Sequence, residues 1–99
     1  MKYSKFNFKS CYSYFEFIEQ NVNHEDGEYY NNFDDNKYTW KIKDNKILNY
    51  NKYCKGKLKW EIYCKNNKYS LLKIYNEEGI LIKTVHNPNK TIIYSYLCE

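Results

Sequence analysis

The chain of 99 residues contains no Arg and no Ala, one Pro, three Gly and no long apolar run. Without Arg there is no bidentate fork for phosphate, so all 16 cationic side chains are Lys point charges. No segment reaches the roughly 18 apolar residues of a membrane-spanning helix, and no membrane partner is expected. Met1 to Lys5 carries Lys, but neither the apolar stretch nor the small-residue cleavage site of a signal peptide comes after it. An intracellular protein is therefore expected, cytoplasmic or, if viral, in the host cytoplasm or virion, with its thiols reduced. The four cysteines (Cys11, Cys54, Cys64, Cys98) form no C-x2-C pair, and His24 and His86 stand alone. No metal, cofactor or small-molecule substrate is implied. Cys54 and Cys64 lie a strand apart, too far to bridge easily.

What the chain has in abundance is Lys, Asn, Tyr and Ile, the residues favoured by AT-rich codons. Aromatics make up 20%, with 13 Tyr, which suits strands. A net charge of +4 permits an anionic partner without demanding one. The length corresponds to one domain with a modest core.

Turn signals supply the architecture. Asn45, Gly56, Asn67, Gly79 and Asn89 each end a short polar cluster, at intervals of 11, 11, 12 and 10 residues. Asn and Gly tolerate positive φ, which a three-residue hairpin loop needs at its last position. Loops at 43–45, 54–56, 65–67, 77–79 and 87–89 place Trp40 opposite Leu48 and Tyr50 opposite Trp60. They also place Trp60 opposite Leu72, Ile74 opposite Ile82 and Ile82 opposite Tyr94. Because strand side chains alternate, one apolar face then runs through Trp40, Tyr50, Trp60, Ile62, Leu72, Ile80, Ile82, Ile92, Tyr94 and Tyr96. The fold predicted is mainly all-β: a six- to seven-stranded antiparallel meander over 28–98, strongly twisted or part-closed into a barrel.

Residues 1–27 form a separate aromatic segment. Ser13-x-x-Glu16 has capping-box form, and Phe15, Ile18 and Val22 recur with helical spacing, predicting a short helix over about 14–22. A strand at 3–8 is the rival or the predecessor. On the second sheet face, Lys-rich early strands give way to Tyr69, Leu71, Tyr75, Leu81, Val85, Ile93 and Leu97. The N-terminal segment is expected to cover that late patch, with a homodimer contact as the alternative. The main apolar face needs curling of the sheet, or a second copy, to cover it.

Catalytic constellations are lacking. The acidic residues gather in turns and in the linker before the meander, where solvation accounts for them. Cys64 or Cys98 could be imagined beside His86, but a lone histidine near a strand end is the ordinary surface residue. No catalytic residue and no enzyme activity are expected.

The stretch Lys55-Gly56-Lys57-Leu58-Lys59-Trp60-Glu61-Ile62-Tyr63, then Lys65-Asn66-Asn67-Lys68 and Tyr75-Asn76-Glu77-Glu78-Gly79-Ile80-Leu81, resembles the MORN-type repeats. It is most similar to the variant found in bacterial antitoxin-like and giant-virus proteins. The match spans about 45–97 with two clear units; Asn45, Asn67 and Asn89 stand where the family has turn glycines. The small Gly after the second turn is missing. The resemblance implies a sheet of β-hairpins serving protein contacts or scaffolding, without catalytic residues.

Together these readings predict a non-catalytic binding module that contacts another protein or itself as a homodimer. Such a module would suit an accessory or antitoxin-like protein of a phage, a large DNA virus or an AT-rich bacterium. The candidate binding residues are Tyr63, Tyr69, Leu71, Lys73 and Tyr75, with Lys57 and Lys59. Exposed Tyr gives large contact area at low entropic cost. The alternative is nucleic-acid binding, because the same Lys/Tyr face mixes cations with stacking platforms.

Overall fold

The computed structural model describes residues 2–3, 15–16 and 25–98. Among the described residues, seven strands lie in one sheet in chain order: β1 (Lys2–Tyr3), β2 (Gly27–Phe33), β3 (Asn36–Lys43), β4 (Lys46–Cys54), β5 (Lys57–Lys65), β6 (Lys68–Tyr75) and β7 (Leu81–His86). A helix, α1 (Lys90–Leu97), comes after them. β1 pairs parallel with β2, and β2 to β7 form an antiparallel meander. The strand order ends at β1 and β7, so the sheet stays open and the part-closed barrel is not formed. The expected strand at 3–8 and helix at 14–22 fall mostly outside the described residues; Phe15 and Glu16 are helical.

The turn period holds, but the loops differ from the three-residue expectation. Lys43 opposes Lys46, and both loop residues between them have positive φ: Asp44 at 54° and Asn45 at 60°. Lys55 and Gly56 (52° and 81°) and Asn66 and Asn67 (52° and 63°) repeat this. Positive φ at both central residues is the type I′ geometry, whose twist matches that of the flanking strands. Lys55 carries the steric cost of the left-handed region without the local hydrogen bonding of Asn or Asp. Its N–H donates to the Asp35 carbonyl at 2.9 Å, tying two neighbouring turns together.

Each of these hairpins then regains a residue. Lys41 opposes Asn49 while Ile42 opposes Ile47, so Leu48 is extra. By the same reading Lys59, Ser70 and Ile82 are the extra residues of β5, β6 and β7. Every one lies three residues beyond its turn. A two-residue loop plus one bulge leaves the pairing two residues from the expected register, and a slip of two keeps every side chain on its face. Thus Trp40 opposes Tyr50 rather than Leu48, and Trp60 opposes Ile74 rather than Leu72. One row of the core face runs Tyr29, Trp40, Tyr50, Ile62, Leu72, Val85.

The last hairpin breaks the pattern. Its loop does have three residues: Asn76 N–H donates to the Ile80 carbonyl at 2.9 Å, and Gly79 takes φ 82°. Asn76 Oδ1 accepts from the N–H groups of Glu78 and Ile80. Adding a bulge to a three-residue loop slips the register by one, and a slip of one exchanges the faces. Ile74 therefore opposes Lys83, not Ile82, and Ile82 leaves the core, 61% exposed; Ile80, on the turn side of the bulge and still opposite Asn76, is 56% exposed.

Beyond β7 the expected strand pairing Ile82 with Tyr94 is a helix instead. Thr91, Ile92, Ile93 and Tyr94 favour strands by propensity, but packing overrides it. Asn89 caps the helix, its Oδ1 accepting from Ile92 N–H at 2.8 Å. Ile93 is fully buried, and Tyr94, Leu97 and Cys98 pack against the sheet. Phe15 is also fully buried on that face, between Tyr50, Trp60 and Tyr94. The main apolar face is thus covered within one chain, by α1 and Phe15, rather than by curling or a second copy. The N-terminal aromatic Phe15 covers this face and not the late outer patch.

Candidate functional site

The outer face is built from two rows that cross β2 to β7. Glu28, Lys41, Asn49, Tyr63, Leu71 and His86 oppose one another in turn. Tyr30, Thr39, Asn51, Glu61, Lys73 and Thr84 form the next row. Four of the sequence-predicted binding residues, Tyr63, Leu71, Lys73 and Tyr75, meet here around Glu61. Its carboxylate accepts from the Tyr63 hydroxyl at 2.8 Å and from the Tyr75 hydroxyl. Lys73 Nζ lies 5.7 Å from the centre of the Tyr63 ring. Hydrogen bonding to Glu61 is the main cause that raises both phenols, Tyr75 to about 12. Glu61 is absent from the sequence-predicted set; its place two residues before Tyr63 on one strand is the signal that puts it on this face.

Tyr69 is elsewhere. It opposes Cys64 and packs edge-on to Tyr50, ring centroids 6.3 Å apart, on the core side. The extra Ser70 separates Tyr69 from Leu71, so two residues that strict alternation would place together lie on opposite faces. Val85, Ile93 and Leu97, also assigned to the outer patch, turn to the core as well. Lys57 and Lys59 lie at the turn end of β5, with Lys57 opposite Cys54 and Lys59 the bulged residue. Lys59 acts on Lys52, whose ammonium is held down chiefly by burial, with Cys54 opposing and Lys59 adding to the effect.

Between β2 and β5 the outer face sinks into a depression of about 460 Å³ lined by Glu28, Lys37, Thr39, Lys41, Asn49, Asn51 and Tyr53. Asn51 Nδ2 donates to Thr39 Oγ1 at 3.2 Å across its floor. Lys37 Nζ lies 5.2 Å from the centre of the Tyr30 ring. The face is therefore mixed in sign: Lys37, Lys41 and Lys73 alternate with Glu28 and Glu61, and two of the lysines already lie over tyrosine rings.

The edge at β7 has a different character. Leu81, Ile82, Lys83, Thr84 and His86 are all exposed, Leu81 at 45%, and Ile80 precedes them. No described strand lies beyond β7. An open edge with an apolar start is the ordinary template for pairing with another chain. Periodicity could not reveal it, because the bulge that turns Ile82 outward leaves no mark in residue type.

Among the described residues no group of three His, Cys, Asp or Glu side chains could hold a metal ion. No described helix is long and apolar enough to cross a membrane. Cys54 and Cys64 are not disulfide-bonded, whereas Cys98 is, contrary to the reduced state expected for all four; a reducing cytosol disfavours such a bond. The chain matches no protein-family model, no curated protein and no solved structure.

Proposed function

We propose that the chain is a non-catalytic binding module that works through protein contacts or self-association. The observation that carries this is the exposed run Ile80-Leu81-Ile82 at the open edge of the sheet. Burying a large apolar side chain contributes about 1.5–3 kcal/mol, so three of them beside unpaired backbone groups favour a partner strand. The regular hairpins also suit the scaffolding role that the resemblance to MORN-type repeats implies. The test is a photo-crosslinking residue at position 81 in the full chain, irradiated in producing cells. Discrete adducts of defined mass support the reading, and a chain that yields none, although folded, sinks it.

Nucleic-acid binding is the second reading, favoured by Lys37, Lys41 and Tyr53 around the outer depression. Glu28 and Glu61 weaken it, since each places a negative charge where a phosphate backbone would run. Fluorescence anisotropy with labelled oligonucleotides at about 50 and 200 mM salt decides, because phosphate contacts give a steep salt dependence.

A further inference from the structure

The ladder between β6 and β7 reveals which backbone groups of β7 are unused. Asn87 N–H donates to the Ser70 carbonyl at 2.9 Å, which fixes the phase of the ladder. In an antiparallel pair, hydrogen-bonded and non-bonded positions alternate. Val85 opposite Leu72 and Lys83 opposite Ile74 therefore bond inward to β6. The N–H and C=O groups of Thr84 and His86 point away from the sheet, whereas Ile82, the bulged residue, lies outside this alternation. The regular stretch centred on Thr84, 83–85, lies between the bulge at Ile82 on one side and His86, followed by Asn87 at φ 50°, on the other. Its middle residue, Thr84, is exposed and outward-bonding.

We propose that β7 pairs antiparallel with β7 of a second copy of this chain about a two-fold axis at Thr84. The proposal rests on the protein-contact reading above and names its partner. An outward-bonding residue at the centre of an odd-numbered segment lets the segment pair with itself: Thr84 meets Thr84, and Lys83 meets Val85 of the other copy. A Thr–Thr cross-strand pair is among the favourable ones. The ends are complementary in charge. Glu77 and Glu78 precede β7, while Lys90 lies beyond its centre, and the first turn of α1 contains no acidic residue of its own. Antiparallel pairing brings the acidic turn of each copy to the α1 N-terminus of the other, where negative charge is favoured. The lysine of this edge, Lys83, is drawn towards α1, its Nζ 5.0 Å from the centre of the Tyr96 ring. Ile80 and Ile82 of each copy then lie against the far end of the other β7 and lose their exposure.

Sedimentation equilibrium of the purified full chain, from roughly 1 to 100 µM, is the experiment, and a dimer is the expected result. Thr84→Pro removes an outward N–H at the axis and no bond to β6; it should leave the circular dichroism unchanged and abolish the dimer. Ile82→Lys should weaken the dimer about 100-fold or more, because both copies are altered. A dimer that survives both variants overturns the edge pairing. A monomeric wild type that still gives heterologous adducts from position 81 overturns self-pairing and leaves the protein-contact reading intact. A monomer that gives no adducts overturns both.

Discussion

Phe15 stacks on Trp60 with ring centroids 5.6 Å apart and planes inclined by 25°. The contact fastens a residue from the first sixth of the chain onto the middle of the sheet, and it does so on the face that α1 also covers. Replacing Phe15 by Ala removes a fully buried ring and leaves a cavity between Tyr50, Trp60 and Tyr94. The expected loss is about 3–5 kcal/mol, read by urea denaturation, with Trp60→Ala costing a similar amount. An unchanged midpoint for Phe15→Ala would mean that this ring does not close the core.

The C-terminal helix depends on one side chain at its start. Asn89→Ala deletes the acceptor for Ile92 N–H and should destabilise the fold by about 1 kcal/mol. Thermal unfolding monitored by circular dichroism measures it. Asn89→Asp should retain the cap and the stability.

Lys55 occupies the left-handed region at the first position of a type I′ turn, beside Gly56. Lys55→Asn keeps the backbone N–H that bonds Asp35 and relieves strain, so stability should rise by about 1 kcal/mol. The reverse test is Gly56→Val, which puts a β-branched residue at φ 81° and should destabilise although open space surrounds the site.

The two phenols that share Glu61 predict an alkaline transition. Tyr75 titrates near 12 in the folded chain against an ordinary 10, so its proton is held more tightly in the native state. The stabilisation is fully present below about pH 10 and is lost as the pH rises through about 12. Ultraviolet titration of phenolate formation reads this directly. Glu61→Gln should move the Tyr75 transition down towards 10, and a transition that stays in place would show that Glu61 is not its cause.

Much of the sheet was legible in the sequence because two departures cancelled. A three-residue loop at 43–45 leaves out both the type I′ turn and the bulge at Leu48. Together they keep Trp40, Tyr50, Ile62 and Leu72 on the face that alternation assigns them. The cancellation fails at Gly79, where the loop has three residues and the bulge is still added. Ile82, a core residue by alternation, is exposed for that reason, and Val85 takes the inward place. The helix at Lys90–Leu97 was illegible because Ile92, Ile93 and Tyr94 have strand propensity; only the surface left by β3 to β6 makes them helical. Of the candidate site, the grouping of Tyr63, Leu71, Lys73 and Tyr75 came from alternation alone. Tyr69 did not, since Ser70 interrupts the alternation at that point.

The bulges also make the middle of the sheet a duplicated object. Ile62 repeats Trp40 and Leu72 repeats Tyr50 at a distance of 22 residues; Trp60 repeats Tyr38, Ile74 repeats Lys52, and Tyr69 repeats Ile47. The pair β5 and β6 is, position for position, the pair β3 and β4 with new side chains. Such a sheet accepts change in quanta. Gain or loss of one 22-residue hairpin preserves every face and every turn, whereas a single residue inserted within a strand exchanges the faces of the rest of that strand. The width of this protein is therefore free to vary by heredity in steps of two strands, and its two edges can be kept while the span between them is rewritten.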